Sequence, residues 1–284
     1  MLESGNFWKP YQSSEYEQLP ELPFFHNTTE FIYSKIEDSF WRLKAVEEDK
    51  FYGEKKVFFF YGNPLYVSKK WEPPVILGIH IKVKNSSFCI TPTDTGMIKN
   101  MKENEITRIS KIPDEELFNY VNHVDLDDMI QYINNFIFDW YGDIKNYTEV
   151  KLKDSFEPHS IPIQKEHHKL LEADMESVFN EDFLKENNLD LDKRKGTVEL
   201  AIGDNGNLIL PFTARLAFVA LPEDKRGNNF HIKKLKEYFD KNHGEIVDDS
   251  KIYPYDYLEN GAHKSIKQIM DECRGEYYKR FKIN

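Results

Sequence analysis

Two stretches decide how this chain is read: Pro23-Phe24-Phe25-His26-Asn27-Thr28-Thr29-Glu30-Phe31 and the aromatic run Lys56-Val57-Phe58-Phe59-Phe60-Tyr61-Gly62-Asn63-Pro64-Leu65-Tyr66. Phe24-Phe25-His26 reads as a short strand. Thr28 or Thr29 then offers a hydroxyl to the free N–H groups of a helix carrying Phe31, Ile32, Lys35 and Ile36. Residues 40–45 and 56–61 read as further strands, the second almost continuously apolar and therefore expected to be central.

Working outward, residues 1–22 carry no clear period and read as an arm laid over the surface. Pro73-Pro74 opens a strand in which Leu77, Ile79, Ile81 and Val83 alternate with Gly78, His80 and Lys82. Residues 87–91 continue that strand or pair with it, with Asn85-Ser86 as the hairpin tip. Asp125 caps a helix whose Leu126, Met129, Ile130, Ile133, Ile137 and Trp140 share one face and which ends at Gly142. Residues 165–179 read as helical, so the section 97–190 is expected to be a helical insertion. Strands return at residues 196–202, 208–210 and 215–221, the first two joined by a turn at Asp204-Asn205-Gly206-Asn207. A helix at 232–239, a strand at 245–253 and a last helix carrying Ile266, Ile269, Met270, Cys273 and Tyr277 complete the chain. The expected fold class is α+β, with a mostly antiparallel sheet and helices inserted between its strands.

The 284 residues suffice for one elaborated domain or two modest ones. Hydrophobic residues at 40% and aromatics at 14% favour a packed interior over disorder. No apolar run approaches the roughly 20 residues that span a bilayer, and Met1-Leu2-Glu3-Ser4 lacks the start of a secretory leader. The expectation is a cytoplasmic protein with no membrane partner. Cys89 and Cys273 are too few for a disulfide framework or a cysteine metal site. A net charge of −11 lacks the footprint of a protein that holds nucleic acid by counterion release, although Lys193-Arg194-Lys195 forms a local basic run.

The order of parts is histidine strand, helix, aromatic strand, helical section, then a strand bearing Glu199. This order resembles the ADP-ribosyltransferase superfamily, in its histidine–aromatic–glutamate branch. The resemblance rests on His26-Asn27-Thr28, on the 56–66 run and on Thr197-Val198-Glu199-Leu200-Ala201-Ile202, about a tenth of the chain. It implies a split antiparallel sheet that grips NAD as substrate. It also implies a core made of residues 23–96 and 191–284, with 1–22 as an arm and 97–190 inserted. His26 would bond the ribose next to nicotinamide, with Thr28 beside it. Phe59, Phe60 or Tyr61 would stack on the nicotinamide, and Asn63-Pro64-Leu65-Tyr66 is similar to the segment that follows in DNA-modifying bacterial toxins of the superfamily. Glu199 would stabilise the transition state. Arg42 is a candidate for an NAD phosphate. The acceptor implied is a protein or a nucleic acid, and the role that of a toxin or phage-defence effector.

The chemistry asks for these residue types on its own terms. Breaking the anomeric C–N bond leaves positive charge on the ribose, which a fixed carboxylate stabilises. An aromatic ring holds the flat cationic nicotinamide, and a histidine on a ribose hydroxyl fixes its orientation. Each residue also has a plainer reading. His26 can sit at a strand end bonded to backbone, the phenylalanines can be core, Arg42 can be a surface residue, and Glu199 can face solvent. Glu176 is a rival acid. The histidines His159, His167 and His168 near Glu166 lack the spacing of a zinc site, and Asp248-Asp249 with Lys251 lacks the rest of a nuclease cluster. A different class of protein also fits the acidic charge: a non-catalytic α+β binding protein, of immunity or anti-defence type, that masks a basic partner.

Overall fold

The structure, a computed structural model, describes residues 21–39, 41–45, 48–49, 52, 54–64, 73–81, 88–91, 122–124, 126–149, 151, 197–203, 208–209, 214–223, 230–243, 247–259 and 262–283. The strands are β1 (Phe24–Thr29), β2 (Arg42–Leu43), β3 (Glu48–Asp49), β4 (Glu54–Tyr61), β5 (Pro74–Ile81), β6 (Phe88–Thr91) and β7 (Asn122–Val124). They continue as β8 (Glu199–Gly203), β9 (Leu208–Ile209), β10 (Ala214–Pro222), β11 (Ile252–Tyr255), β12 (Leu258–Glu259) and β13 (Ala262–His263). The helices are α1 (Glu30–Asp38), α2 (Leu126–Tyr141), α3 (Ile144–Glu149), α4 (Phe230–His243) and α5 (Ile266–Phe281). The class is α+β. The chain divides into two compact units, one of residues 1–21, 48–54 and 85–202, the other of residues 22–47, 55–84 and 203–284.

In the second unit the strand order is β11-β10-β5-β1-β4. β1 pairs antiparallel with both β4 and β5, and β10 pairs antiparallel with β5. β11 runs parallel to β10, the geometry that a strand–helix–strand passage through α4 permits. Registry places Phe25 opposite Gly78, and Gly78 opposite Phe218. The missing side chain at Gly78 leaves room for the two rings, which meet edge to face at 6.3 Å. Tyr277 of α5 lies on both, 4.8 Å from Phe25 and 5.7 Å from Phe218. The alternation expected over residues 77–83 does not show in β5: every residue from Pro74 to Ile79 is buried, and His80 and Ile81 are both half-buried. The strand lies between two neighbours, and both α1 and α5 contact it.

Thr29, one of the two hydroxyls expected to cap, caps α1 by accepting the Ile32 N–H. The helix stops by tight reversal, with Trp41 N–H bonded to the Ile36 carbonyl. Trp41 has φ 59, a conformation aromatic residues rarely adopt. Burial of its ring against Tyr33, Tyr238 and Phe239 offsets the strain. The strand expected over 40–45 is thus cut to Arg42–Leu43, which pairs with β9. The strand expected over 245–253 is also displaced. The Asp248 carboxylate accepts the Ser250 N–H and starts a 3-10 turn over Asp249–Lys251, so that within the described residues 247–253 strand begins at Ile252. Ser265 and Gln268 close a capping box at the start of α5.

In the first unit β6 lies between β8 and β7, antiparallel to both. This corrects the pairing expected for residues 87–91, whose partners are not the 74–81 strand. α2 packs on β6, and its Met129, Ile133, Phe136 and Ile137 are all fully buried. The helix ends at Gly142, whose φ of 83 only glycine adopts freely and whose N–H reaches back to the Ile137 and Phe138 carbonyls. The Asp125 cap, the 85–86 and 204–207 turns and the 165–179 helix lie outside the described residues.

A Cβ at Gly78 would stand 2.8 Å from a Phe25 ring carbon and 3.2 Å from Phe218 Cβ. Gly78→Ala is expected to destabilise the protein by about 1–3 kcal/mol through overpacking, read as a lower urea midpoint at unchanged slope.

Candidate functional site

His26 sits in β1 with Leu77 of β5 opposite it. Its Nδ1–H donates to the Phe58 carbonyl of β4 at 3.0 Å, since a carbonyl only accepts. Burial lowers the pKa of the ring, opposed in part by that hydrogen bond, so the imidazole is neutral with its proton on Nδ1. Nε2 is left as an acceptor that no group among the described residues engages. The ring is surrounded deeply by protein yet keeps part of its surface. The plain expectation, a strand histidine bonded to backbone, is what the geometry shows.

The aromatic run divides between the two faces of the sheet. Phe24 stands opposite Tyr61 and Phe25 opposite Phe60. Side chains alternate along each strand, so Tyr61 and Phe59 share His26's face and Phe60 lies on the other with Phe25. The Phe59 ring is 5.5 Å from that of His26. Phe59 and Tyr61 are fully buried and Phe60 is 7% exposed. Tyr61 stacks edge-on against Phe24 at 5.0 Å, and its hydroxyl accepts the Leu22 N–H. Thr28, two residues from His26 on the same face, is half-buried. Arg42 is half-buried on β2, and its Nε is enclosed without a hydrogen-bond partner. Tyr66, Glu176, the basic run 193–195 and the histidines at 159, 167 and 168 lie outside the described residues. Among the described residues no three histidine, cysteine, aspartate or glutamate side chains gather as a metal site.

Glu199 belongs to the first unit, at the start of β8 and opposite Thr91 of β6. The expectation that strand alternation turns it to solvent fails. It is 2% exposed, Thr91 is fully buried, and Thr197 through Ala201 are covered on both faces. The segment is anchored by Tyr147 of α3, whose hydroxyl accepts the Val198 N–H at 3.0 Å. Tyr147 in turn packs on Tyr141, 5.2 Å away. A carboxylate this enclosed is expensive to leave uncompensated, and Glu199 does interact with its surroundings.

The sequence reading passed over two groups. The Asn27 amide has both its nitrogen and its oxygen enclosed without partners. More pronounced is a charged bridge between α1 and α4. His231 Nδ1 lies 3.0 Å from Glu37 Oε2, and its Nε2 lies 3.4 Å from Glu30 Oε1. The Glu37 side chain is only 1% exposed, and Lys234 also approaches it at 3.6 Å. Tyr33 lies edge-on to the imidazole at 5.5 Å, and burial together with the Glu37 charge pushes its hydroxyl pKa well up. The one legible signal was spacing: Glu30 and Glu37 are two turns apart on one helix face. Nothing local links either to residue 231.

The hydrogen bonds that His231 donates to Glu30 and Glu37 raise its pKa to about 9 against its burial. A raised pKa stabilises the folded state fully below the ordinary histidine value of about 6.5, and that contribution is lost as pH rises through about 9. The loss is expected to be on the order of 1–2 kcal/mol for a partly exposed ring. Urea midpoints at about pH 6 and about pH 10 are expected to differ less in His231→Gln than in the wild type.

Compared with protein-family models, with curated proteins and with solved structures, the chain matches none.

Proposed function

We propose that this chain transfers ADP-ribose from NAD to a macromolecular acceptor, protein or nucleic acid, and acts as a toxin or phage-defence effector. In this reading residues 23–96 and 191–284 form the NAD-gripping core with a split antiparallel sheet, and residues 97–190 are inserted. The observation that carries it is the state of His26: neutral, held by the Phe58 carbonyl, with Nε2 free to meet a ribose hydroxyl. Phe59 and Tyr61 are the rings on the histidine's face. Glu199 is the carboxylate assigned to the oxocarbenium-like transition state, and its burial supports a field strengthened by low dielectric. Arg42, with an unspent enclosed donor, suits a phosphate.

A second reading has its own support. The enclosure of Phe59, Phe60 and Tyr61 leaves those rings little open face, and the net charge is −11. Both suit a non-catalytic protein of immunity or anti-defence type that masks a basic partner.

Nicotinamide release from NAD by the full chain separates the two. Glu199→Gln is expected to lower release by about 10²–10³-fold, and His26→Ala to lower it less, with thermal melts of both variants checking that they remain folded. Release that survives Glu199→Gln moves the acid to Glu176. Neither release nor NAD binding at millimolar concentration favours the masking protein.

A further inference from the structure

A pocket of about 320 Å³ opens in the second unit where the start of α1 meets the start of α5. Its apolar surface comes from Pro73, Ile266 and Ile269, the last almost fully buried. Tyr257 and His263 line it as a nearly parallel pair, rings 5.7 Å apart and inclined by 14°. Their spacing is held by the β12–β13 hairpin and by the Lys264 N–H, which donates to the Tyr257 carbonyl. The Lys264 ammonium also borders the pocket, but both oxygens of Glu272 hold it, at 2.8 and 3.0 Å.

Glu30 is the remaining polar wall. Its backbone is fixed by the N–H bond to Pro73. One carboxylate oxygen faces His231, whose other nitrogen is held by the buried Glu37, so the carboxylate is aimed by a chain of charges that begins inside the protein. The side chain is 40% exposed, and among the described residues His231 is the one partner of the carboxylate. The residue lines an apolar, aromatic-walled cavity, and its second oxygen has no partner among the described residues. Flat rings bind such walls by stacking, and a fixed carboxylate selects for an N–H donor at the edge of the ring.

The geometry points to a binding site for a flat heteroaromatic ring that carries an amino group, of the aminopurine nucleoside type, with Glu30 accepting from the amino group and the Tyr257–His263 pair packing on the ring. The volume accommodates a base with part of its sugar. The neutralised Lys264 makes a free anion a poorer occupant. This site is independent of the proposed transfer reaction: it uses neither His26 nor Glu199.

The test is calorimetric titration of the full chain with adenosine and with purine riboside, which has the same ring and sugar but no amino group. Adenosine is expected to bind roughly tenfold tighter than purine riboside. In Glu30→Ala the two are expected to bind alike. Tyr257→Leu, which keeps bulk but removes the ring, is expected to weaken both by a similar factor, with circular dichroism melts confirming that both variants fold. Absence of heat with either nucleoside at millimolar concentration overturns the proposal. So does a preference for adenosine that survives Glu30→Ala.

Discussion

The second unit depends on the contact of one tyrosine ring with a gap in a sheet. Tyr277 covers Phe25 and Phe218, and these rings come together because Gly78 between them has no side chain. Three strands and the C-terminal helix meet there. β1 is thereby held from one face by aromatic packing, while its pairing with β4 and β5 fixes its register. A strand fixed in this way presents His26 to the opposite face in a single orientation, and the Phe58 carbonyl then selects its tautomer. His26 is thus positioned by packing on the face of β1 opposite to its own.

The polar interior is organised differently. Glu37 is buried on α1, and no aromatic packing compensates a carboxylate. His231 and Lys234 from α4 do so, which makes the α1–α4 contact specific as well as adhesive. The same imidazole reaches outward to Glu30 at the pocket. A buried carboxylate and a half-exposed one on the same helix are thereby linked through one histidine. In the first unit Tyr147 plays the comparable part of a fixed polar anchor, tying α3 to the backbone just before Glu199.

Much of the secondary structure was legible because its causes are local. Thr29 caps α1, Gly142 ends α2, and the apolar spacing of Met129, Ile133 and Ile137 marks the buried face of that helix. The failures share a cause as well. Residues 40–45 and 245–253 have strand composition, but a helix-terminating reversal at Trp41 and a side-chain-to-backbone bond at Asp248 claimed the same backbone groups. Residues 87–91 read as a partner of the strand before them, since adjacency is what a sequence displays. Their partners, β7 and β8, lie far along the chain.

The candidate site shows the same division. Sequence by itself determined the α+β class, the threonine cap of α1, the glycine stop of α2 and the strand that carries His26, because capping, periodicity and apolar runs act over a few residues. Only the tertiary structure decided which face each aromatic of the 56–61 run occupies, that Glu199 is buried, and that Glu30, Glu37 and His231 form one charged bridge. Register, burial and ion pairing across some 200 residues depend on which segments meet in space. No local pattern encodes that, since the free energy of such a contact exists only once the chain has closed.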